Sequence, residues 1–441
     1  MGKSILLFLL VALSLTLTWS IWAYQGEYEP TNSSEPTKIS NIASSYDIKE
    51  VIRPYQIIKF DKKGSNQIKG NLGHGVDSLY KLITDANWTV QGAPPDRLPK
   101  VVGEDYELDF PTTLTTTIIK GLFKFTTTNS SLIAQDWLID RVEVYESDPE
   151  SDTVVLVFKD QNGQPHFFAE GKVPGIKTYI QNAQSENWLA FKRFTLKDHH
   201  MVYAPDQSIK SYAVENHWYT LVGFDLFKPI LFSDPRQVVY SGNVYSDAVS
   251  QLANRNKLVM QYVNTVSTQS GSFGDPILQS YTFINGHKGW TNHFNIDTFT
   301  AYPAKGQSQV SFRLTNNGLP VFSTASYPYD LESEIWLQWN GGELAKLNRT
   351  LIAVGMTYNA PSKAKLIPSA SEEMDLLTNT GAIKQGNITD FRLGYQMSVN
   401  SDNQSVSFTP TWFFKENDTW ESTIEFLANH TNDLKARGTK D

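Results

Sequence analysis

Between Ser4 and Tyr24 the chain carries no charged side chain, in the run SILLFLLVALSLTLTWSIWAY. About twenty helical residues at ~1.5 Å each cover ~30 Å, the hydrocarbon thickness of a bilayer. A helix satisfies its own backbone donors and acceptors, so such a segment is stable in lipid. Lys3 is the only side-chain charge ahead of it, while Glu27, Glu29 and Glu35 follow. The positive flank stays in the cytoplasm, which places the rest of the chain outside. Trp19, Trp22 and Tyr24 cluster at the outer end, where amphipathic rings favour the interface. A cleaved signal would have a shorter apolar run closed by small residues. The expectation is therefore a retained single-pass anchor in the cell membrane, with the N-terminus cytoplasmic and the body extracellular.

Within the anchor, Ala12, Thr16 and Ser20 recur every four residues and share one helix face. Small residues at that spacing let a second transmembrane helix approach closely. They are the candidate partner-binding residues of the chain.

The 441 residues are 40% hydrophobic and 19% charged, with 20 Tyr, 24 Phe and 11 Trp, enough to bury large cores. The formal charge of −8 argues against nucleic acid as a partner. The absence of cysteine removes disulfides and lipid attachment through a thiol, and a large exterior body built on packing alone suits a Gram-positive surface.

Residues after the anchor are polar, with Pro30 and Pro36, and read as a tether. Tyr55–Phe60 is strand-like. Val76, Leu79, Tyr80 and Ile83 lie on one face of an amphipathic helix over Val76–Ala86. Strands are expected at Arg141–Tyr145, Thr153–Phe158 and His166–Ala169, with a hairpin turn at Asn162-Gly163. A helix is expected over Gly175–Leu189, buried strands over Tyr212–Phe232, a short helix over Asp247–Asn254 and a strand over Leu258–Asn264. Phe294–Thr300, Val310–Leu314 and Leu319–Phe322 read as a meander turning at Asn317-Gly318. Ser369-Ala-Ser-Glu372 is a capping box, Phe391–Phe414 is strand-like, and Asn429–Asp441 is a polar tail expected to fray. The fold class expected is α+β, a multi-domain extracytoplasmic body with mainly antiparallel sheets behind one transmembrane helix. The division expected is 1–25 for the cytoplasmic start and anchor, 26–45 for the tether, 46–200 for an N-terminal α+β domain, 201–300 for a central domain and 301–441 for a C-terminal β-rich domain.

The patterns that carry catalysis are weak. There is no His-Glu-x-x-His, Gly-x-Ser-x-Gly or Walker A sequence. Gly70-Asn-Leu-Gly73-His-Gly75 has the wrong spacing for a dinucleotide loop and reads as a turn before the Val76 helix. Ser362-Lys-Ala-Lys365 followed by Ser401-Asp402-Asn403 matches two of the three penicillin-binding-protein motifs, but Lys-Thr-Gly is missing and little chain remains. His199 and His200 are neighbours expected to diverge on a strand, and His287 and His293 flank Gly289-Trp290-Thr291. Neither pair has the converging ligands a metal needs. Glu372-Glu373 suits a helix first turn. No catalytic, cofactor-binding or metal-binding residue is assigned, and no cofactor is expected.

The chain carries Leu17-Thr-Trp-Ser-Ile-Trp22, Val51-Ile-Arg-Pro-Tyr-Gln-Ile-Ile58, Glu107-Leu-Asp-Phe-Pro111 and Leu231-Phe-Ser-Asp-Pro235. Further on come Phe283-Ile-Asn-Gly-His-Lys-Gly-Trp-Thr291, Gly318-Leu-Pro-Val-Phe322, Gly394-Tyr-Gln-Met397 and Pro410-Thr-Trp412. In the order of these segments the sequence resembles the YycH family of regulators. Lys288 departs from it, standing where a smaller residue is expected. The resemblance implies a non-enzymatic, membrane-anchored accessory protein. It would associate with a YycI-like protein and with the sensor histidine kinase WalK, through its helix and outer body, and adjust kinase output and cell-wall homeostasis. It also implies that the C-terminal part resembles YycI. The competing readings are an extracytoplasmic cell-wall enzyme and a module that binds wall glycan or peptide.

Overall fold

Alternation along Asp105–Thr115 sends Tyr106, Leu108 and Phe110 into the core and Asp105, Glu107 and Asp109 to the opposite face. Runs of this kind dominate the body and pair into two large sheets. The computed structural model describes residues 41–60, 67–92, 98–102, 104–126, 133, 137–148, 150–210, 214–266, 274–323, 329–358 and 366–437.

The first sheet contains β1 (Gln56–Phe60), β2 (Ile68–Leu72), β3 (Asn87–Gly92), β4 (Asp105–Thr115), β5 (Lys124–Phe125), β6 (Leu138–Asp148), β7 (Thr153–Lys159), β8 (Pro165–Lys172), β9 (Leu189–Thr195) and β10 (Met201–Pro205). Their order across the sheet is β10-β9-β2-β1-β4-β6-β7-β8-β3-β5. The helices Asp77–Asp85, Thr116–Leu122 and Ile176–Ser185 contribute to its main core through Leu79, Tyr80, Ile83, Ile118, Ile119, Ile176 and Ile180. The sheet curls at its β10 edge, so that Arg141 of β6 donates to the carbonyl of Met201 and Gln56 of β1 donates to that of Tyr203 at 3.1 Å.

A two-stranded pair joins β11 (Ile209–Lys210) to a later strand. The second large sheet contains β12 (Glu215–Leu221), β13 (Val239–Ser241), β14 (Val244–Ser246), β15 (Ser250–Arg255), β16 (Val259–Asn264), β17 (Phe294–Tyr302), β18 (Gln307–Asn316), β19 (Leu319–Ser323), β20 (Glu334–Asn340), β21 (Glu343–Thr350) and β22 (Ile352–Thr357). After β23 (Leu366–Ile367), the partner of β11, it is completed by β24 (Asp390–Asn400), β25 (Ser405–Glu416) and β26 (Thr419–Ser422). Its main path runs β13-β14-β15-β16-β21-β20-β18-β19-β24-β25-β12-β22. Pairing is antiparallel except at β19–β24 and β3–β5. The fold is mixed α+β with mostly antiparallel sheets.

Several expected elements form where local chemistry dictates them. Asn317 and Gly318 both take positive φ, at 50° and 74°, as a tight hairpin turn requires. Ser369 and Glu372 make both bonds of the capping box ahead of the helix Ala370–Asn379. The Gly-rich run ends in a turn at Gly73–Val76 that feeds the helix Asp77–Asp85.

Other expectations are corrected. Asp247–Asn254 is not a helix. Asp247 Oδ1 accepts from the N–H of Val249 at 2.9 Å and of Ser250 at 2.6 Å, and the chain then enters β15, which is paired on both sides. Within the described part of the span Tyr212–Phe232, β12 is largely solvent-facing, with Trp218 47% exposed, and it is followed by the 3-10 turn Phe224–Phe227 and the short helix Lys228–Leu231. The expected polar tail Asn429–Asp441 is helical as far as Arg437, in the helix Thr423–Arg437, and residues 438–441 lie outside the described residues. Around the expected divisions at 200/201 and 300/301, β10 pairs with β9 in the first sheet, and β17 pairs along β18 in the second.

Candidate functional site

The anchor and its stripe Ala12, Thr16 and Ser20 lie outside the described residues, as does Ser362–Lys365. Among the described residues no helix is long and apolar enough to cross a membrane. The site that can be built is where the chain arriving from the N-terminus meets the body.

That chain was expected to be free tether up to residue 45, but it is docked from Ile42 onward. The N–H of Ile42 donates to the carbonyl of His287 at 3.1 Å, that of Ala43 to Lys288 at 2.7 Å, and Trp290 donates to Ser44 at 3.3 Å. An extended backbone is stable here because the loop offers it a strand's worth of partners. Tyr46 is gripped at both polar backbone groups. Its N–H donates to Asn285 Oδ1 at 2.9 Å, and its carbonyl accepts from Tyr281 Oη at 2.8 Å. Asn285 also accepts from Trp290 Nε1 at 3.0 Å and donates to Tyr281 at 3.2 Å. The Tyr46 ring packs on His293 with centroids 5.4 Å apart.

This grip comes from the helix Pro276–Gly286 and the loop after it, which overlap the span Phe283–Thr291. Arg349 supports the loop from below, donating to the Gly289 carbonyl at 2.9 Å and lying 4.9 Å over the Phe227 ring. Burial pulls Arg349 down to about 9, and burial together with Arg349 pushes His287 down to about 3, so this imidazole is neutral at ordinary pH. Lys288 takes φ 52°, the left-handed region that favours glycine, which gives a physical basis for expecting a smaller residue there.

The same entering segment continues into the junction between the two sheets. Asn295 brackets Arg53, accepting from its N–H at 3.1 Å and donating to its carbonyl at 2.9 Å. Two residues on, Tyr55 lies under the Arg392 guanidinium at 5.0 Å. Arg392 donates to the Pro111 carbonyl at 2.6 Å, pairs with Asp390 and reaches Asp297 at 3.4 Å. Arg313 binds Asp297 at 2.7 and 2.9 Å and pairs with Glu334. Burial alone would raise Asp297, but Arg313 and Arg392 hold its carboxyl below the usual range. The turns also meet: a Cβ on Gly318 would lie 2.7 Å from the Gly73 Cα.

The remaining candidates are dispersed. Ser401-Asp402-Asn403 sits in the exposed turn between β24 and β25. His199 and His200 are in and beside a 3-10 turn, not on a strand. His199 is left-handed with φ 60°, and His200 Nδ1 lies 2.9 Å from the Thr389 carbonyl. Glu372 caps a helix, and Glu373 is buried behind it. No metal-holding group of three or more His, Asp or Glu occurs among the described residues. A cleft of ≈ 740 Å³ between the helices Asp77–Asp85 and Ile176–Ser185 is lined by Leu82, Ala86, Pro174 and Tyr179 with Lys81 and Glu186.

Asn285, Asp297, Arg313 and Arg392 were not singled out from sequence. The available signal was a charge inside a run of β-formers, as in Phe391-Arg392-Leu393 and Phe312-Arg313-Leu314. The helix Pro276–Gly286 was missed, although Asp275 and Pro276 are a start signal.

Comparison with known proteins gives one family over both sheets. Residues 1–170 match the model described as YycH protein, N-terminal domain, and residues 201–431 match YycH protein, C-terminal domain. A Bacillus subtilis (strain 168) protein described as two-component system WalR/WalK regulatory protein YycH is 24% identical over 448 residues, covering 94% of each chain. The crystal structure of YycH from Bacillus subtilis superposes with a TM-score of 0.65 at 19% identity, over 87% of this chain and 99% of that one, a likeness of fold.

Proposed function

The chain belongs to the YycH family, and from that premise we propose that it is a membrane-anchored regulator of the WalK/WalR two-component system. In this reading Ser4–Tyr24 holds the protein in the cell membrane, and the body lies outside. The helix packs against partner helices through Ala12, Thr16 and Ser20, and the body engages a YycI-like protein. Together they bias the sensor kinase WalK between its signalling states and so adjust cell-wall homeostasis. A bias of this kind requires different affinity for the two states. No catalytic step is invoked, in keeping with a relative described as a regulatory protein.

The observation that carries the reading is the grip on Tyr46. Chain leaving the anchor becomes part of the second sheet's framework at Ile42 and part of the inter-sheet junction by Arg53. In this reading a displacement of the body moves the point, at Ile42, where the chain from the anchor joins it. Co-purification from detergent tests it. The full-length chain should retain WalK, and a chain with Ala12→Leu and Thr16→Leu should retain less at equal expression. Equal retention by both would remove the helix from the mechanism.

A further inference from the structure

A cavity of ≈ 30 Å³, room for a water molecule, lies where β4, β6 and β10 meet β24. Asp109 and Asp140 both line it, and each has a buried Oδ1 with no hydrogen-bond partner among the described residues. The other Asp109 oxygen accepts from Gln56 at 2.8 Å. The charged and titratable groups around the pair come from every packed element. β4 gives Glu107, β6 gives Arg141, and β7 with its turn gives Lys159 and Asp160. Tyr55 comes from the approach to β1, with the neutral amide of Gln56 beside it, His200 and Tyr203 from the β10 edge, and Asp390 and Arg392 from β24.

Most of these charges are already committed. Glu107 pairs with Lys159 at 3.0 Å, and Asp390 pairs with Arg392. That leaves Arg141, which also serves the Met201 carbonyl and stands 3.6 Å from Glu107, facing two further carboxyls. One guanidinium cannot compensate both in a desolvated space.

We propose that this cavity is a proton-binding site, in which the buried carboxyls of Asp109 and Asp140 hold protons whose loss weakens the docking of the first sheet on the second. Burial raises both carboxyls against the opposing pull of Arg141, with Asp140 reaching about 8. Each therefore binds its proton more tightly in the folded chain than in the unfolded one. The stabilisation is full below the ordinary carboxylate range near 4 and is lost as pH rises through about 8. The proton site stands wherever the body resides; its use as a gauge of exterior acidity rests on the extracytoplasmic reading.

The test uses the full-length chain in detergent. Its unfolding midpoint should fall by roughly 2–4 °C or more between about pH 6 and about pH 9. Asp140→Asn should stand above the parent at the alkaline end and fall less. An infrared carboxylic-acid C=O band should persist at neutral pH in the parent and vanish in Asp140→Asn or Asp109→Asn. Amide exchange at residues 109–111 and 388–392 should quicken on the alkaline side. Absence of a neutral-pH carboxylic-acid band in the parent overturns the proposal even if neither variant folds. So does a band that survives in both variants, or identical midpoint curves for all three proteins.

Discussion

Asn285 Oδ1 accepts the backbone N–H of Tyr46 at 2.9 Å, across 239 positions of sequence. The bond fastens the chain entering the body to the helix Pro276–Gly286. Asn285→Ala would leave that N–H and the Trp290 indole N–H without their acceptor. The expected loss is about 1–3 kcal/mol. Denaturant unfolding measures it, and amide exchange over residues 42–46 should accelerate well before the rest of the body.

Arg392 touches Pro111, Tyr55, Asp297 and Asp390 at once. Arg392→Leu would strip compensation from two buried carboxylates, at about 3–5 kcal/mol. Adding Asp390→Leu should restore part of that loss, since one of the stranded charges is then gone. A double variant no more stable than Arg392→Leu would contradict the pairing.

Gly318 and Gly242 separate close approach from backbone strain. Both have positive φ, at 74° and 65°, but a Cβ on Gly242 meets nothing within 4 Å, whereas one on Gly318 meets the Gly73 backbone. Gly242→Ala should cost only the left-handed strain of ~1–2 kcal/mol. Gly318→Ala should cost clearly more, and the difference in thermal midpoint reads the contact between the turns.

Acid should act on Asp297 in the sense opposite to its action on the proton site. Arg313 and Arg392 hold this carboxyl below the usual range against burial, so its contribution is present above about pH 4 and is lost as pH falls through its lowered value. Asp297→Asn should therefore cost most near neutrality and progressively less under strongly acidic conditions, as followed by denaturant midpoints.

Much of the fold was legible wherever local chemistry decides. The apolar spacing of Leu79, Tyr80 and Ile83, the Asn317-Gly318 turn and the Ser369 box each specify their element within a few residues. Reading failed where pairing partners decide. Ser250–Arg255 has the composition of a short helix and becomes a strand because β14 and β16 flank it. The junction was hidden for the same reason. Arg392 and Pro111 stand 281 positions apart, and nothing local to either announces the other. The spans Glu107–Pro111 and Phe283–Thr291 carried the family resemblance, but the chemistry they perform, seating Asp109 and gripping Tyr46, emerges only in three dimensions.

The proposed joint action of anchor and body on the kinase is tested most directly in cells. A WalR-dependent transcriptional reporter, in cells lacking the endogenous protein, compares the full-length chain with the same body secreted behind a cleavable signal. Reporter output should shift with the full-length chain and stay at the deletion level with the secreted body at matched abundance. Full restoration by the secreted body would contradict the account.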